Sequence, residues 1–306
     1  MSAFNANDQK PLIEKYEEHL LSTCGVTGGT CDLFKWHVSK FLTARFGDPN
    51  HADLATLAPK DVVNYISDLS PRYMPRTRKS AVTALRSFVR WLRLNDQCSS
   101  QLLTAVPTVS APRLSNVPVH LSHAQFAVFL GTIDRDTPAG LRTYAAAVCM
   151  GRLGLRVGEV VRLTLDDIDW REGVICVDKG KGRRPNILPL PSDVGTAIID
   201  YLRHARPRST NRYVFPGSPS MGTHLHRGSL SGNLRRAFKA AGLAVPFHGT
   251  RVLRHTAASH MLQKGATMKE IADVLGHRSI DTTAIYAKVD LPTLSLVAMP
   301  WPGVQS

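Results

Sequence analysis

The chain has 306 residues, 43% of them hydrophobic and 20% charged, an ordinary globular balance with room for two domains. With 38 Lys and Arg against 24 Asp and Glu, the formal charge is +14, which favours a polyanionic partner, nucleic acid first. There is no run of eighteen apolar residues, no secretory leader and no C-x-x-C pair, which argues against a membrane span, a disulfide framework and a thiolate zinc site and gives an expected cytoplasmic, nucleoid-associated location.

In chain order, apolar residues at helical spacing predict helices over 11–22 and 31–46, the second with Thr30 as N-cap and Gly47 as its stop. A third starts near Pro59, a residue tolerated in a first turn, and runs to Leu69. A fourth, over 77–95, carries an apolar stripe of Val82, Leu85, Phe88, Val89 and Leu92. Arg86, Arg90 and Arg93 repeat at helical spacing on another face, with Arg76, Arg78 and Lys79 at its start. Few acids balance these cations, so the face reads as a phosphate contact rather than a solvated surface. Three prolines in 104–120 mark a linker; the expected domains are 1–107 and 120–306, with 108–119 between them.

Beyond the linker, SHAQFAVFLGTI, LRTYAAAVCMGRLG and VGEVVRLTL read as helices. VICV and NILPL, within 173–190, are short β-type runs around a Gly- and Lys-rich centre, a hairpin signal. Helices return over 192–204, 229–241, 250–264, 267–275 and 279–288, with Thr267 capping and Gly276 stopping the one over 267–275. The expected fold class is mainly α with a small β-hairpin or sheet.

Four clusters carry chemistry. In GLRVGEVVRL (154–163), Arg156 stands at a helix entrance, with Glu159 as its nearby acid. In KGKG (179–182), two glycines let the backbone turn tightly and hold Lys181 at the tip, as a point charge or a proton donor. In RVLRHTAASHML (251–262), Arg251 and Arg254 share one helical face with His255 beside them. Two guanidiniums there repel unless an anion sits between them, and a phosphodiester suits their paired N–H groups. In LGHRSIDTTAIYAKV (275–289), His277 follows the glycine stop and Tyr286 lies on the next helix. A phosphodiester resists attack by its own charge, so a site needs cations or a metal. A tyrosine, with a pKa of about 10, needs neighbouring cations to become a good nucleophile.

No one of these motifs is specific; four in this order, with a hairpin between the first and third, are. Residues 115–290 resemble the catalytic domain of the tyrosine recombinase (phage integrase) family, and residues 8–95 are more weakly similar to its helical core-binding domain. The resemblance implies a two-domain clamp, a helical N-terminal core-binding domain plus a mixed α/β catalytic domain. It also implies a cofactor-free, metal-free phosphoryl transfer. Tyr286 attacks DNA to form a 3′-phosphotyrosyl bond, Arg156 and Arg254 clamp the non-bridging oxygens, and Lys181 protonates the leaving 5′-hydroxyl. His277 orients the phosphate, and Glu159 and His255 support the site. The partners implied are double-stranded DNA at an inverted-repeat-type site, accessory recombinases, and further copies of the chain. It is expected to be a monomer in solution and a homotetramer on DNA, exchanging the apolar tail over 291–306. One position departs from the family. Three residues before the second arginine it usually has histidine, sometimes lysine, and here it has Arg251. Arginine, with a pKa above about 12, is a poor proton acceptor, so Arg251 is expected to act by charge alone, and His248 is an alternative imidazole.

Three rivals are weaker. A DNA-binding module without chemistry would use a helix-turn-helix over 267–288 whose recognition helix is poor in outward Arg, Asn and Gln, and a catalytically inactive relative is disfavoured because all but one family position are filled. A two-metal nuclease needs convergent acids from separate elements, and Asp166, Asp167 and Asp169 are adjacent. A type IB topoisomerase shares the chemistry but fits the GKG and LGHRS…Y settings less well.

Overall fold

The structure, a computed structural model, describes residues 11–109, 117–177, 185–217, 222–243, 249–277, 279 and 282–289. The chain divides into two compact units, Met1–Ser115 and Asn116–Ser306.

The first unit holds helices α1 (Leu12–Ser22), α2 (Gly28–Phe46), α3 (Pro59–Asp68), α4 (Pro75–Leu94) and the short α5 (Ser100–Thr104). α2 begins earlier than the sequence predicts. Thr27 is the N-cap and Thr30 falls in the first turn, because Thr30 N and Cys31 N both bond back to Thr27 O at 2.9 Å and draw two glycines into the helix. Gly47 ends α2 at φ 83°, where a side chain would be strained. The whole predicted α4 stripe is buried, together with Trp91. Tyr16 of α1 packs edge-on against Phe88, with ring centroids 5.2 Å apart. Each fully buried side chain of this size contributes about 1.5–3 kcal/mol, so α4 anchors the unit.

The second unit is built around α7 (Pro138–Leu153), whose Ala145–Met150 stretch is buried on every side. Three of these residues are alanine, so α9 (Ser192–His204) and α11 (Thr250–Gln263) approach closely. α6 (His123–Gly131), α8 (Val157–Arg162), α10 (Arg227–Ala240) and α12 (Met268–Leu275) complete the helices around them. A three-stranded antiparallel sheet covers one side: β1 (Ile168–Asp169), β2 (Val174–Val177) and β3 (Asn186–Pro189), in that order. β2 and β3 are the two arms of the predicted hairpin, in the register Ile175↔Leu188 and Val177↔Asn186. β1 lies in the stretch of the adjacent aspartates, which the sequence reading did not assign to a strand. Burial of Ile168 pairs it with Ile175 and draws two residues into the sheet.

The end of the described chain also differs from expectation. Instead of an α-helix over 279–288, residues Ala284–Val289 form a 3-10 helix. Tyr286 N closes on Thr283 O at 2.9 Å, the tighter i→i+3 spacing, while the buried Thr283 is held by its own side chain. Two consecutive β-branched threonines disfavour a regular helical start there.

Candidate active site

α11 buries Val252, Leu253, Ala257 and Ala258, and in doing so carries Arg254 inside, where it is 8% exposed. A charge so placed is tolerated only when its N–H groups are matched. Arg254 Nη1 donates to Gly154 O and Nη2 to Leu275 O, both at 2.6 Å. Gly154 is the left-handed cap after α7, and Leu275 is the last residue of α12. One guanidinium thus ties together two helix C-termini, whose carbonyls carry partial negative charge. Burial, then neighbouring Arg156, lower its pKa to about 10, so it stays cationic at neutral pH.

Arg156 is the N-cap of α8. Glu159 accepts its backbone N–H through Oε2 and its Nη1 through Oε1, both at 2.7 Å. The same carboxylate lies 3.9 Å from Arg254 Nη1. Two guanidiniums share one carboxylate, which leaves one net positive charge at the mouth of α8. Arg156 is exposed and Arg254 is fixed, an arrangement complementary to a phosphodiester with two non-bridging oxygens.

The predicted start and stop of α12 hold. Thr267 and Glu270 form a reciprocal capping box, and Gly276 sits at φ 61°. The chain then turns back through His277, whose Nδ1 lies 2.7 Å from Thr283 Oγ1. That contact sets the start of the 3-10 helix and delivers Tyr286 into a pocket with Ala258, Ile271 and Leu275. Tyr286 is 1% exposed. Its hydroxyl is 2.8 Å from His255 Nδ1, and the two rings meet edge-to-face at 5.6 Å. Burial pushes the Tyr286 pKa up to about 12, although Arg254 and Arg156 pull the other way. Burial first, then Arg251 and Arg254, lowers His255 to about 4; burial first, then Arg254 and Arg156, does the same to His277. The site at rest is therefore a protonated tyrosine, two neutral imidazoles and fixed arginines.

Of the residues singled out from sequence, Arg156, Glu159, Arg254, His255, His277 and Tyr286 converge here. Lys181, His248 and the tail over 291–306 lie outside the described residues. Arg251 is exposed on α11, and its charge bears on His255. In the first unit Arg76, Lys79, Arg90 and Arg93 are exposed on α4, while Arg78 donates to Ser70 Oγ at 2.7 Å. Arg86 departs from the phosphate-facing reading: its Nη2 donates to Val106 O at 3.1 Å and Pro107 O at 3.3 Å, so it holds the chain beyond α5. The aspartates of the nuclease alternative have protein partners: Asp166 pairs with Arg212, Asp167 accepts from Thr164 N and Oγ1, and Asp169 caps the turn at Arg171 and Glu172. Two positioning residues escaped the sequence reading. One is Thr283. The other is Asn186 of β3, whose Nδ2 donates to Asp273 O at 3.2 Å and Val274 O at 2.9 Å, fastening the hairpin base to the end of α12.

Residues 120–291 match the sequence profile of the phage integrase family. The chain belongs to this family. Members of this family are tyrosine recombinases and integrases, enzymes that cut and rejoin DNA. A protein named integrase/recombinase y4rA of Sinorhizobium fredii is 44% identical over 293 residues, 95% of this chain and 71% of the relative. The tyrosine recombinase XerD of Listeria innocua is 28% identical over 284 residues, 91% of this chain and 94% of that one. The family fold is also seen in XerH recombinase bound to palindromic difH DNA, with a TM-score of 0.70 at 20% identity, covering 96% of this chain and 86% of that one. A lambda integrase dimer bound to a COC′ core site gives 0.69 at 18%, covering 90% and 75%. Among the described residues no helix is long and apolar enough to cross a membrane.

Proposed function

We propose that this family member is the site-specific recombinase of a mobile element, acting as its integrase or transposase, and that it works through a 3′-phosphotyrosyl intermediate at Tyr286. The observation that carries this reading is the placement of the Tyr286 hydroxyl against His255, within the electrostatic reach of Arg156 and Arg254. Arg254, fixed by two carbonyls, and Arg156, exposed at the α8 entrance and paired with Glu159, would bind the non-bridging oxygens as negative charge builds in the transition state. His277 would complete the phosphate contact and Lys181 would protonate the leaving 5′-oxygen. The phosphotyrosyl bond keeps the energy of the cleaved one, so rejoining needs no ATP.

The partner proposed is double-stranded DNA at an inverted-repeat-type site. The XerH neighbour is bound to a palindromic substrate and a lambda integrase tetramer is bound to a Holliday junction, which supports a homotetramer on DNA; exchange of the apolar tail over 291–306 between its copies is part of the same proposal. Arg76, Arg78, Lys79, Arg90 and Arg93 would contact phosphates. The mobile-element setting is supported by the relative named integrase/recombinase, which at 44% identity is nearer than XerD at 28%.

The test needs no known target. The protein and its Tyr286→Phe variant are expressed in cells, lysed in denaturant without crosslinker, and any DNA still attached is sequenced. DNA on the native chain alone, ending at a fixed sequence on the protein-linked 3′ side, is the expected result and reveals the site. DNA on both proteins would refute Tyr286 as the nucleophile.

A further inference from the structure

We propose that His255 is the proton acceptor for the attacking Tyr286, a role that rests on the recombinase reading above. Arg251 holds the position where the family usually has an imidazole, and it cannot take a proton at neutral pH. His255, on the next turn of the same helix, has its Nδ1 2.8 Å from the Tyr286 hydroxyl, within hydrogen-bond reach of the proton that must leave.

The step balances without a cofactor. The Tyr286 Oη–P bond forms as the P–O5′ bond breaks, the phenolic proton passes to His255 Nδ1, and the leaving 5′-oxygen takes a proton from Lys181. Rejoining runs the same transfers backwards. The charges around His255 explain why this happens only on DNA. Arg251 and Arg254 flank it on its own helix, His120 faces it from the segment before α6, His277 from the turn after α12, and Tyr286 from the 3-10 helix. In the free chain burial first, then the charges of Arg251 and Arg254, hold the imidazole neutral and a weak base, at about 4, beside a phenol at about 12. A bound phosphodiester brings one negative charge, growing towards two in the transition state. That charge offsets the arginines and raises the basicity of His255 when the proton has to move. Off DNA, the same pair keeps Tyr286 protonated and unreactive.

The test uses a duplex carrying the captured site in two forms, one natural and one with sulfur in place of the scissile 5′-bridging oxygen. A thiolate leaves without a proton, so the sulfur form separates the acceptor side from the donor side. Covalent attachment is timed for the full-length chain and for His255→Asn, Lys181→Ala and Tyr286→Phe. Asn at 255 keeps an acceptor near the Nδ1 position but cannot take up a proton. His255→Asn is expected to slow by about 10²–10⁴-fold on both duplexes, the usual worth of a general base, and to regain rate as pH rises. Lys181→Ala is expected to recover on the sulfur duplex. A rate for His255→Asn within threefold of the native chain would overturn the proposal, since a hydrogen bond without proton transfer would then suffice. Rescue of His255→Asn by sulfur would also overturn it, by placing the residue on the leaving-group side. Failure of the native chain on both duplexes would instead sink the recombinase reading. An independent check needs no variant at 255. In nitrogen-labelled imidazole NMR of the native chain, with the signal assigned by its shift in Tyr286→Phe, His255 Nδ1 should be unprotonated. A protonated Nδ1 would be donating to the phenol, and the proposal would fall.

Discussion

Gly154→Ala tests how the site is held. Gly154 sits at φ 70°, and a methyl group there would lie 2.5 Å from Leu275 Cδ2. The left-handed backbone costs a non-glycine residue about 1–2 kcal/mol. Overpacking against Leu275, itself 3% exposed and clustered with Ala258, Ile271 and Tyr286, adds about 1–3 kcal/mol. The expected destabilisation is therefore about 2–5 kcal/mol, and at roughly 2–4 °C per kcal/mol for a unit of this size the melting midpoint falls by about 4–20 °C. The site should suffer beyond that loss. The carbonyls of Gly154 and Leu275 are the two acceptors that orient Arg254. Moving either one tilts the guanidinium that the proposed function sets against the phosphate. Urea unfolding and the rate of covalent attachment to the captured site, both at a temperature where the variant stays folded, measure the two effects. A variant with an unchanged midpoint and the native attachment rate would refute both the packing and the orienting role.

Three further outcomes are expected. Asn186→Ala removes two hydrogen bonds to the end of α12, worth about 0.5–1.5 kcal/mol each; amide exchange near Asp273 and Val274 should quicken and attachment should slow, and unchanged exchange would separate the hairpin from α12. Acid should weaken the second unit before its carboxylates titrate. His255, His260 and His277 are held at about 4 in the fold against about 6.5 when unfolded, so between these values the unfolded chain binds more protons. Their stabilising contribution is complete above about 6.5 and is lost as pH falls towards 4; a urea midpoint that stays flat from pH 7 to pH 5 would contradict this. Arg251→Ala should reduce attachment while Arg251→Lys keeps it, because the position acts by charge; equal losses would rule that out.

Much of the fold was legible because its signals are local. Thr267 and Gly276 bracket α12 within ten residues, and the α4 stripe announces its buried face by spacing alone. The members of the candidate site were legible for a different reason, as ordered motifs resembling a known family. What escaped depends on distant partners. Arg86 reads as one more cation on a basic face until the carbonyls of Val106 and Pro107 are placed beside it. The pairing of β1 rests on Ile168 meeting Ile175 across a turn, and Asn186 reaches α12 from 87 residues away. Tyr286 sits in a 3-10 helix because Thr283 is captured by His277, which no local propensity encodes. The contact between His255 and Tyr286 spans 31 residues, so sequence offered only a histidine beside an arginine.

The central claim is that Tyr286 becomes covalently joined to DNA. The most direct measurement traps the chain on a nicked duplex of the captured site, digests the protein and the DNA, and sequences the peptides by mass spectrometry. The account predicts one nucleotide-bearing peptide, from the region of 275–289, with the added mass on Tyr286 as a 3′-linked phosphodiester. The mass on another tyrosine or on a serine, or a 5′ linkage, would contradict it.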